Sequence, residues 1–409
     1  MSYTIRPITA AEYPAYVRTV EAPFGNQPSA EDLDIWRPMH ELDRSLAVFD
    51  AGQIVASTDA LSLELTLPGL TRIPAPGVTR VGVLPTHRRR GLLRALMRRQ
   101  IDDLRQRGEI LAILTASESV IYGRFGYGVA TSTINVEIER AHAAFARPWN
   151  PPGQLTLVDH VSALDLLPTV YERARGLQPG AVSRGAAWWQ ATLRNPGSLL
   201  DGMGPRFYVT YTAPDGQVDG FAHYRIQRHW DQGLPSSALE IGELIAVTTQ
   251  ARAALWQFCF GVDLIKTVRA RSRPVDEPLR WMLADPRRLR VTALNDDLFV
   301  RLLDIPRALA ARRYHVPGQL VLAVDDAFCP ENSGRYALEG GPEGATCRPS
   351  TADPDLALSV TDLAATYLGG VSFSALARAG RVEAHASAAL DRADAMFAVT
   401  PAPWCATPF

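Results

Sequence analysis

The clearest periodic signal lies between Gly91 and Gly108. Leu93, Leu96, Met97, Gln100, Ile101 and Leu104 recur at steps of three and four. Positions at that spacing share one face of an α-helix. Arg94, Arg98, Arg99 and Arg105 fall mostly on the other faces, so the pattern predicts an amphipathic helix. Gly108 is placed to end it as the residue after the C-cap. Val81-Gly-Val-Leu84 precedes the helix as a short apolar strand that runs into Pro85, and Ile110-Leu-Ala-Ile-Leu-Thr115 follows as a fully buried strand.

Upstream, Tyr3-Thr-Ile-Arg6 opens a strand, and Ser29-Ala-Glu31-Asp32 has the form of a helix N-terminus. Leu46 to Ala56 reads as a hairpin that turns at Asp50-Ala-Gly52. A further strand pair is expected from Asp59 to Leu67 and from Gly77 to Leu84. Residues 147–153 (Arg-Pro-Trp-Asn-Pro-Pro-Gly) can neither continue a helix nor fill a ladder. Beyond that break the pattern returns at low fidelity. Asp215 to Ala222 matches Ala51 to Ala56, and Leu239 to Val247 matches the strand ending at Val83. A helix and the strand Ile265 to Ala270 follow. A third segment begins near Leu298 with strand-like Gly318 to Val324 and Asp355 to Val360, then two helices rich in small residues.

Composition narrows the partners. The chain has 409 residues, of which 47% are hydrophobic and 21% charged, as in an ordinary globular protein. Its 42 basic and 43 acidic residues leave a net charge of −1, so no global field draws it to nucleic acid or to an anionic membrane. Lys266 is the one lysine; the rest of the basic residues are arginine. No apolar stretch approaches the ~18 residues of a membrane span, and no signal peptide is expected. Cys259, Cys329, Cys347 and Cys405 are scattered, which disfavours a disulfide framework or a zinc site and fits a reduced cytoplasm.

The chemistry concentrates in Val81-Gly-Val-Leu-Pro-Thr-His-Arg-Arg-Arg-Gly91-Leu-Leu-Arg94. Amides at a helix start lack internal partners and face the positive end of the helix dipole, so a phosphate is favoured there. Gly91 allows close backbone approach, and Arg89, Arg90 and Arg94 can add charge-assisted bonds. Val81 and Val83 alternate on a strand whose backbone could pair with an amide-bearing arm. The second copy keeps the strand and helix but has Thr248-Thr-Gln-Ala-Arg252, with no glycine. The direct reading is a duplicated fold with one working cofactor site.

This arrangement resembles the GCN5-related N-acetyltransferases (GNAT), whose pyrophosphate turn reads (Arg/Gln)-x-x-Gly-x-(Gly/Ala). Here Leu93 stands at the last position. Together with Leu114-Thr-Ala-Ser-Glu-Ser-Val-Ile-Tyr-Gly-Arg-Phe-Gly-Tyr-Gly128, it looks like the Eis (enhanced intracellular survival) family over essentially the whole chain. The resemblance implies an α+β chain: tandem GNAT-like domains with mixed, mainly antiparallel sheets and flanking helices, then a small sterol-carrier-like α/β domain. The expected divisions are 1–147 (catalytic, binding acetyl-CoA), 154–296 (degenerate) and 298–409 (sterol-carrier-like, carrying the C-terminus).

Carried over by position, the resemblance implies acetyl-CoA contacts at Val81, Gly82, Val83, Arg89, Arg90, Gly91, Leu92, Leu93, Arg94, Ser117 and Glu118, and no metal. It implies Tyr122 as general acid and the C-terminal carboxylate of Phe409 as general base. A tyrosine near ~10 keeps its proton at neutral pH and can give it to a thiolate near ~8.5. A carboxylate near ~3.5 is a weak base for an ammonium near ~10, so Phe409 needs desolvation or a relaying water. Read alone, Tyr122 also fits a packing tyrosine whose hydroxyl meets a backbone carbonyl, and its nearest rival, Tyr127, is read as packing. Phe24 and Trp36 are candidate acceptor contacts. The expected acceptor is a primary amine of a cationic small molecule, with aminoglycosides, and so antibiotic resistance, in view. The resemblance also implies a homohexamer. The competing readings are a protein-lysine acetyltransferase, and a lipid-binding scaffold with a retired transferase domain.

Overall fold

The computed structural model describes residues 3–194 and 203–409. These fall into two compact units: one joins the chain up to Thr131 with Asp297–Phe409, and the other is Ser132–Asp296.

The larger sheet of the first unit has seven strands: β1 (Thr4–Pro7), β2 (Leu46–Asp50), β3 (Gln53–Leu61), β4 (Gly77–Val83), β5 (Leu111–Thr115), β6 (Gly128–Val129) and β7 (Leu298–Leu302). Their order is β1-β2-β3-β4-β5-β7-β6. Every neighbouring pair is antiparallel except β4 and β5, which run parallel. The β2–β3 hairpin turns where the sequence predicts it, with Ala51 at φ +48° and Gly52 at φ +85°. Two successive left-handed residues match the twist of the flanking strands.

Three helices precede or follow these strands: α1 (Tyr13–Glu21), α2 (Ala30–Trp36) and α3 (Leu92–Gln106). Ser29 caps α2 as expected: its hydroxyl accepts from the Asp32 amide, and Asp32 accepts from the Ser29 amide at 3.0 Å. Helix α3 buries Leu92, Leu96, Met97, Gln100, Ile101 and Leu104, while Leu93 is half-buried. Burying each of its large apolar side chains contributes about 1.5–3 kcal/mol. Gln100 lies in that apolar stripe because its Nε2 donates to the Asp59 carbonyl at 3.0 Å.

The expected strand pair 59–67 and 77–84 is corrected in detail. Asp59 lies inside β3, opposite Thr79 of β4. Glu64–Thr66 instead pairs with Arg72–Pro74 in a separate two-stranded sheet. The chain folds back there because Gly69 and Leu70 both take positive φ.

The returning part of the first unit forms a five-stranded sheet. Its order is Gly344–Pro349, Gly334–Gly341, Gly318–Asp325, Leu356–Ser359, Val382–Ala384. Three helices follow residue 359 rather than the two expected: α4 (Val360–Thr366), Phe373–Arg378 and Ala389–Phe397. Helix α4 approaches β6 so closely that a Cβ on Gly128 would fall on the Thr361 carbonyl oxygen.

The second unit repeats the plan. Its seven-stranded sheet runs Gln154–Val158, Phe207–Thr212, Val218–Gln227, Ser237–Ala246, Ile265–Pro274, Ser132–Glu139, Arg290–Asp296. The parallel pair, Ser237–Ala246 with Ile265–Pro274, again brackets a helix, Thr249–Gly261. Both large sheets are mixed and mainly antiparallel, so the chain is α+β.

Candidate active site

Strands β4 and β5 pair only at Gly77–Ile113 and Val78–Leu114. Beyond that point they part, and among the described residues Thr79–Val83 has no strand partner on the β5 side. The parting coincides with a bulge: Asp59 pairs with Thr79 and Ser57 with Gly82, so β4 carries one extra residue. Arg80 takes φ +53° there. A bulge bends its strand and increases the local twist. A cavity of about 1090 Å³ opens in the wedge.

One end of the cavity is the start of α3. Arg89 takes φ +62° and Gly91 φ +80°, a backbone turn that an L side chain rarely adopts. The N-cap, Gly91, has no side chain to cap the amides behind it. The first helical bond runs from the Ala95 amide to the Gly91 carbonyl at 3.0 Å, which leaves the amides of Leu92, Leu93 and Arg94 without helical partners. Arg88, Arg89 and Arg94 stand in the same wall. Unpartnered amides, a helix dipole and three guanidinium groups fit a diphosphate. Leu93, which departs from the small-residue pattern, turns its side chain onto the core beneath.

The other end gathers residues that are far apart in the chain. Tyr122 begins a one-turn 3-10 helix, Tyr122–Phe125, that Gly126 closes at φ +84°. Its side chain faces the cavity yet is 9% exposed. Burial first, and the charge of Glu118 second, push the phenol up to about 12. Tyr127 packs edge-on against it at 6.1 Å and lies in the core, its buried hydroxyl without a hydrogen-bond partner among the described residues. The tail of the chain is packed as well: Trp404, Cys405 and Thr407 are buried. A terminal oxygen of Phe409 accepts from Thr115 Oγ1 at 3.4 Å. The Phe409 ring lies on Gly77, where an added Cβ would come within 3.0 Å of two ring carbons.

The Tyr122 turn is seated on the returning part of the chain. Arg301 of β7 is fully buried and its Nη2 donates to Asp326 at 2.6 Å. A Cβ on Gly126 would fall on that guanidinium. Thr361 of α4 donates to the Gly123 carbonyl at 3.2 Å.

Of the residues singled out from sequence, Val81, Gly82, Val83, Arg89, Gly91, Leu92, Leu93, Arg94, Ser117, Glu118, Tyr122, Phe409 and Phe24 line this cavity. Arg90 and Trp36 do not. Arg90 donates to the Tyr3 hydroxyl at 2.9 Å and the Thr86 carbonyl at 3.1 Å, and Trp36 packs on the core that contains α1. Arg80, Arg88, Thr115 and Arg124 line the cavity without having been singled out as contacts. Arg88 was legible as the first residue of the Arg-x-x-Gly turn; Arg80 was not, because nothing in its neighbours signals a left-handed bulge.

The corresponding wedge in the second unit is filled from within. Ser237–Ala246 also runs past its last parallel pair, Ile241–Ala270, and also bulges, at Gly242. Arg273, buried, donates into that stretch at the Leu244 carbonyl (2.8 Å) and is balanced by buried Glu277 at 2.7 Å. Thr248 Oγ1 accepts from the Ala251 amide at 3.2 Å, a side-chain cap that Gly91 cannot provide in the first unit. Among the described residues, no group of His, Cys, Asp and Glu is arranged to hold a metal ion, and no helix is long and apolar enough to cross a membrane.

A splayed parallel pair, a bulged strand and an open helix start define a GNAT acyltransferase, for which acetyl-CoA is the acyl donor. Family models agree: residues 4–130 and 180–302 each match an acetyltransferase (GNAT) domain, and 305–406 a sterol carrier protein domain. An uncharacterized N-acetyltransferase of Streptomyces avermitilis is 39% identical over 409 residues, 99% of each chain. The N-acetyltransferase Eis of Mycobacterium tuberculosis is 32% identical over 97% of each. The crystal structure of Eis1 from Mycobacterium abscessus superimposes with a TM-score of 0.88 at 33% identity, covering 99% of this chain and 100% of that one. The chain belongs to the Eis family of N-acetyltransferases.

Proposed function

We propose that this acetyl-CoA-dependent N-acetyltransferase acts on primary amines of cationic small molecules, aminoglycosides among them and at more than one position, with Tyr122 as general acid and the Phe409 carboxylate as general base. The observation that carries the reading is the wedge cavity, which both side chains line together with the open edge of β4 and the start of α3.

Acetyl-CoA, when bound, supplies an activated acetyl thioester. The amides of Leu92, Leu93 and Arg94 and the guanidinium groups of Arg88, Arg89 and Arg94 would hold its diphosphate. Val81, Gly82 and Val83 would pair with its amide-bearing arm, and Ser117 and Glu118 would flank it. Proton traffic belongs to the other end. A neutral amine attacks and its nitrogen turns strongly acidic as the C–N bond forms. A carboxylate of ordinary basicity then suffices as acceptor, so the weak-base objection to Phe409 falls away. The C–S bond breaks, and Tyr122 Oη donates to the leaving thiolate. Burial keeps that proton in place at neutral pH.

Glu21, Glu118 and the Phe409 carboxylate are acidic groups around the cavity, and they favour a cationic acceptor. Phe24, half exposed on the wall, offers an apolar contact. In this reading 1–147 is the catalytic division, 154–296 a degenerate copy, and 298–409 the part that brings in the carboxyl end. The enzyme works in the cytoplasm as a homohexamer, and acetylation of aminoglycosides would confer resistance.

Tyr122→Phe should lower kcat by about 10²–10⁴ while acetyl-CoA affinity by calorimetry stays within a few-fold. A phenol pushed up to about 12 keeps its proton through mildly alkaline solution. Wild-type kcat should therefore show no fall from Tyr122 between about pH 8 and pH 10. An unchanged kcat in Tyr122→Phe would remove Tyr122 from the mechanism.

A further inference from the structure

Arg80 is one residue before the strand segment expected to hold the cofactor, and the mechanism above does not use it. It stands in the cavity wall. Residues from the end of α1 lie over β4 beside it: a Cβ on Gly82 would be 3.6 Å from Pro23 Cγ and 3.7 Å from the Val20 carbonyl oxygen. Glu21 and Phe24, on the acceptor side, line the same cavity as Arg80.

A buried network fixes the side chain. Arg80 Nη1 lies 3.2 Å from Asp59 Oδ2. Asp59 is 2% exposed, and its other oxygen accepts from Tyr16 Oη at 2.6 Å. His40 Nδ1 lies 3.0 Å from Oδ2. Burial would raise the Asp59 carboxyl, but His40, Arg80 and Tyr16 outweigh it and hold it below the ordinary range. Burial pushes His40 down, so it is neutral at pH 7. Arg80 is thus the cation that balances Asp59, and the pair is electrically neutral.

A guanidinium has five N–H donors, and Asp59 takes one. Among the described residues Asp59 is the one hydrogen-bond partner of the Arg80 guanidinium, while the Arg80 carbonyl accepts from Ser57 Oγ at 3.0 Å. The side chain is 19% exposed, so the remaining donors are within reach of the cavity. A bare alkyl polyamine offers only N–H groups and leaves them unmatched. An oxygen on the acceptor satisfies them. A neutral oxygen is enough, because Asp59 already balances the charge, and Glu21 nearby disfavours a carboxylate.

We infer that Arg80 is the residue that reads the acceptor: it selects amines with a neutral hydrogen-bond-accepting oxygen, such as a hydroxyl or ether, a few bonds from the reacting nitrogen. The inference rests on the transferase reading above. It can be tested with a matched pair, 2,2′-oxybis(ethylamine) and cadaverine, which differ by an ether oxygen in place of a methylene. Rates are compared per concentration of free amine. The wild type should prefer the ether member by about tenfold or more in kcat/KM, since a site built to donate rejects an analogue that lacks the acceptor. In Arg80→Leu the loss should fall on the ether member, bringing the ratio to within about twofold of one. Arg80→Gln keeps a donor and should retain part of the preference; a thermal melt and acetyl-CoA calorimetry on both variants check the fold. Equal loss on both amines, or a wild-type ratio near one, overturns the inference and leaves the transferase reading intact. If the wild type acetylates no amine at all, both fall.

Discussion

At Gly77 a hydrogen in place of a methyl group decides where the last residue can sit. A Cβ there would come within 3.0 Å of the Phe409 ring and 2.6 Å of Leu63 Cδ1. Both neighbours are side chains and can move, so Gly77→Ala should cost only about 1–3 kcal/mol of stability. It should nonetheless displace the ring, and kcat should drop far more than the melting temperature suggests. Steady-state kinetics beside a thermal melt would show this; full activity would mean that the position of Phe409 does not matter. The same scale shows what separates Tyr122 from Tyr127, which the family resemblance distinguished and the local pattern did not. They are five positions apart in one glycine-rich turn, and both hold buried rings. The difference lies in which ring faces the cavity, and that depends on Arg301 and α4, elements more than 150 residues downstream.

At the level of elements, local pattern was a good guide wherever local forces decide. The 3.6-residue period gave α3, the Ser29 capping box gave α2, and Asp50-Ala-Gly52 gave the β2–β3 turn. The bulge at Arg80 was not legible, because a non-glycine residue at φ +53° is held by tertiary contacts, here with Asp59, rather than by its own preference. The contact between β6 and α4 was equally hidden. It has a sharp test. A methyl on Gly128 would meet backbone atoms of Thr361 and Ala365, not movable side-chain ends. Gly128→Ala should therefore lower the melting temperature markedly, with a cost at or above the ~1–3 kcal/mol of ordinary overpacking. A melt indistinguishable from wild type would show that α4 is not packed there.

For the whole molecule, the duplication was visible as a repeated hairpin, strand and helix, and the loss of Gly91 and the arginine cluster marked the second copy. What the sequence could not say is which sheet takes a given strand. Leu298–Leu302 is a strand, and alternation along it does not name a partner. It joins a sheet built mostly from the first 131 residues. Nor could it show that the second wedge is occupied by Arg273, since an arginine in a strand is ordinarily a surface residue. The return of the chain into the first unit matters most, because it carries Phe409 to the cavity that Tyr122 lines. The two are proposed to act together on opposite sides of one acyl transfer. The most direct measurement is acetyl transfer to an amine by the enzyme ending at Phe409 and by the same enzyme extended with a short Gly-Ser tail, with acetyl-CoA binding measured on both. The extended enzyme should still bind acetyl-CoA but lose turnover by about 10² or more, because its last carboxylate is no longer at Thr115. Full turnover in the extended enzyme would contradict their joint action.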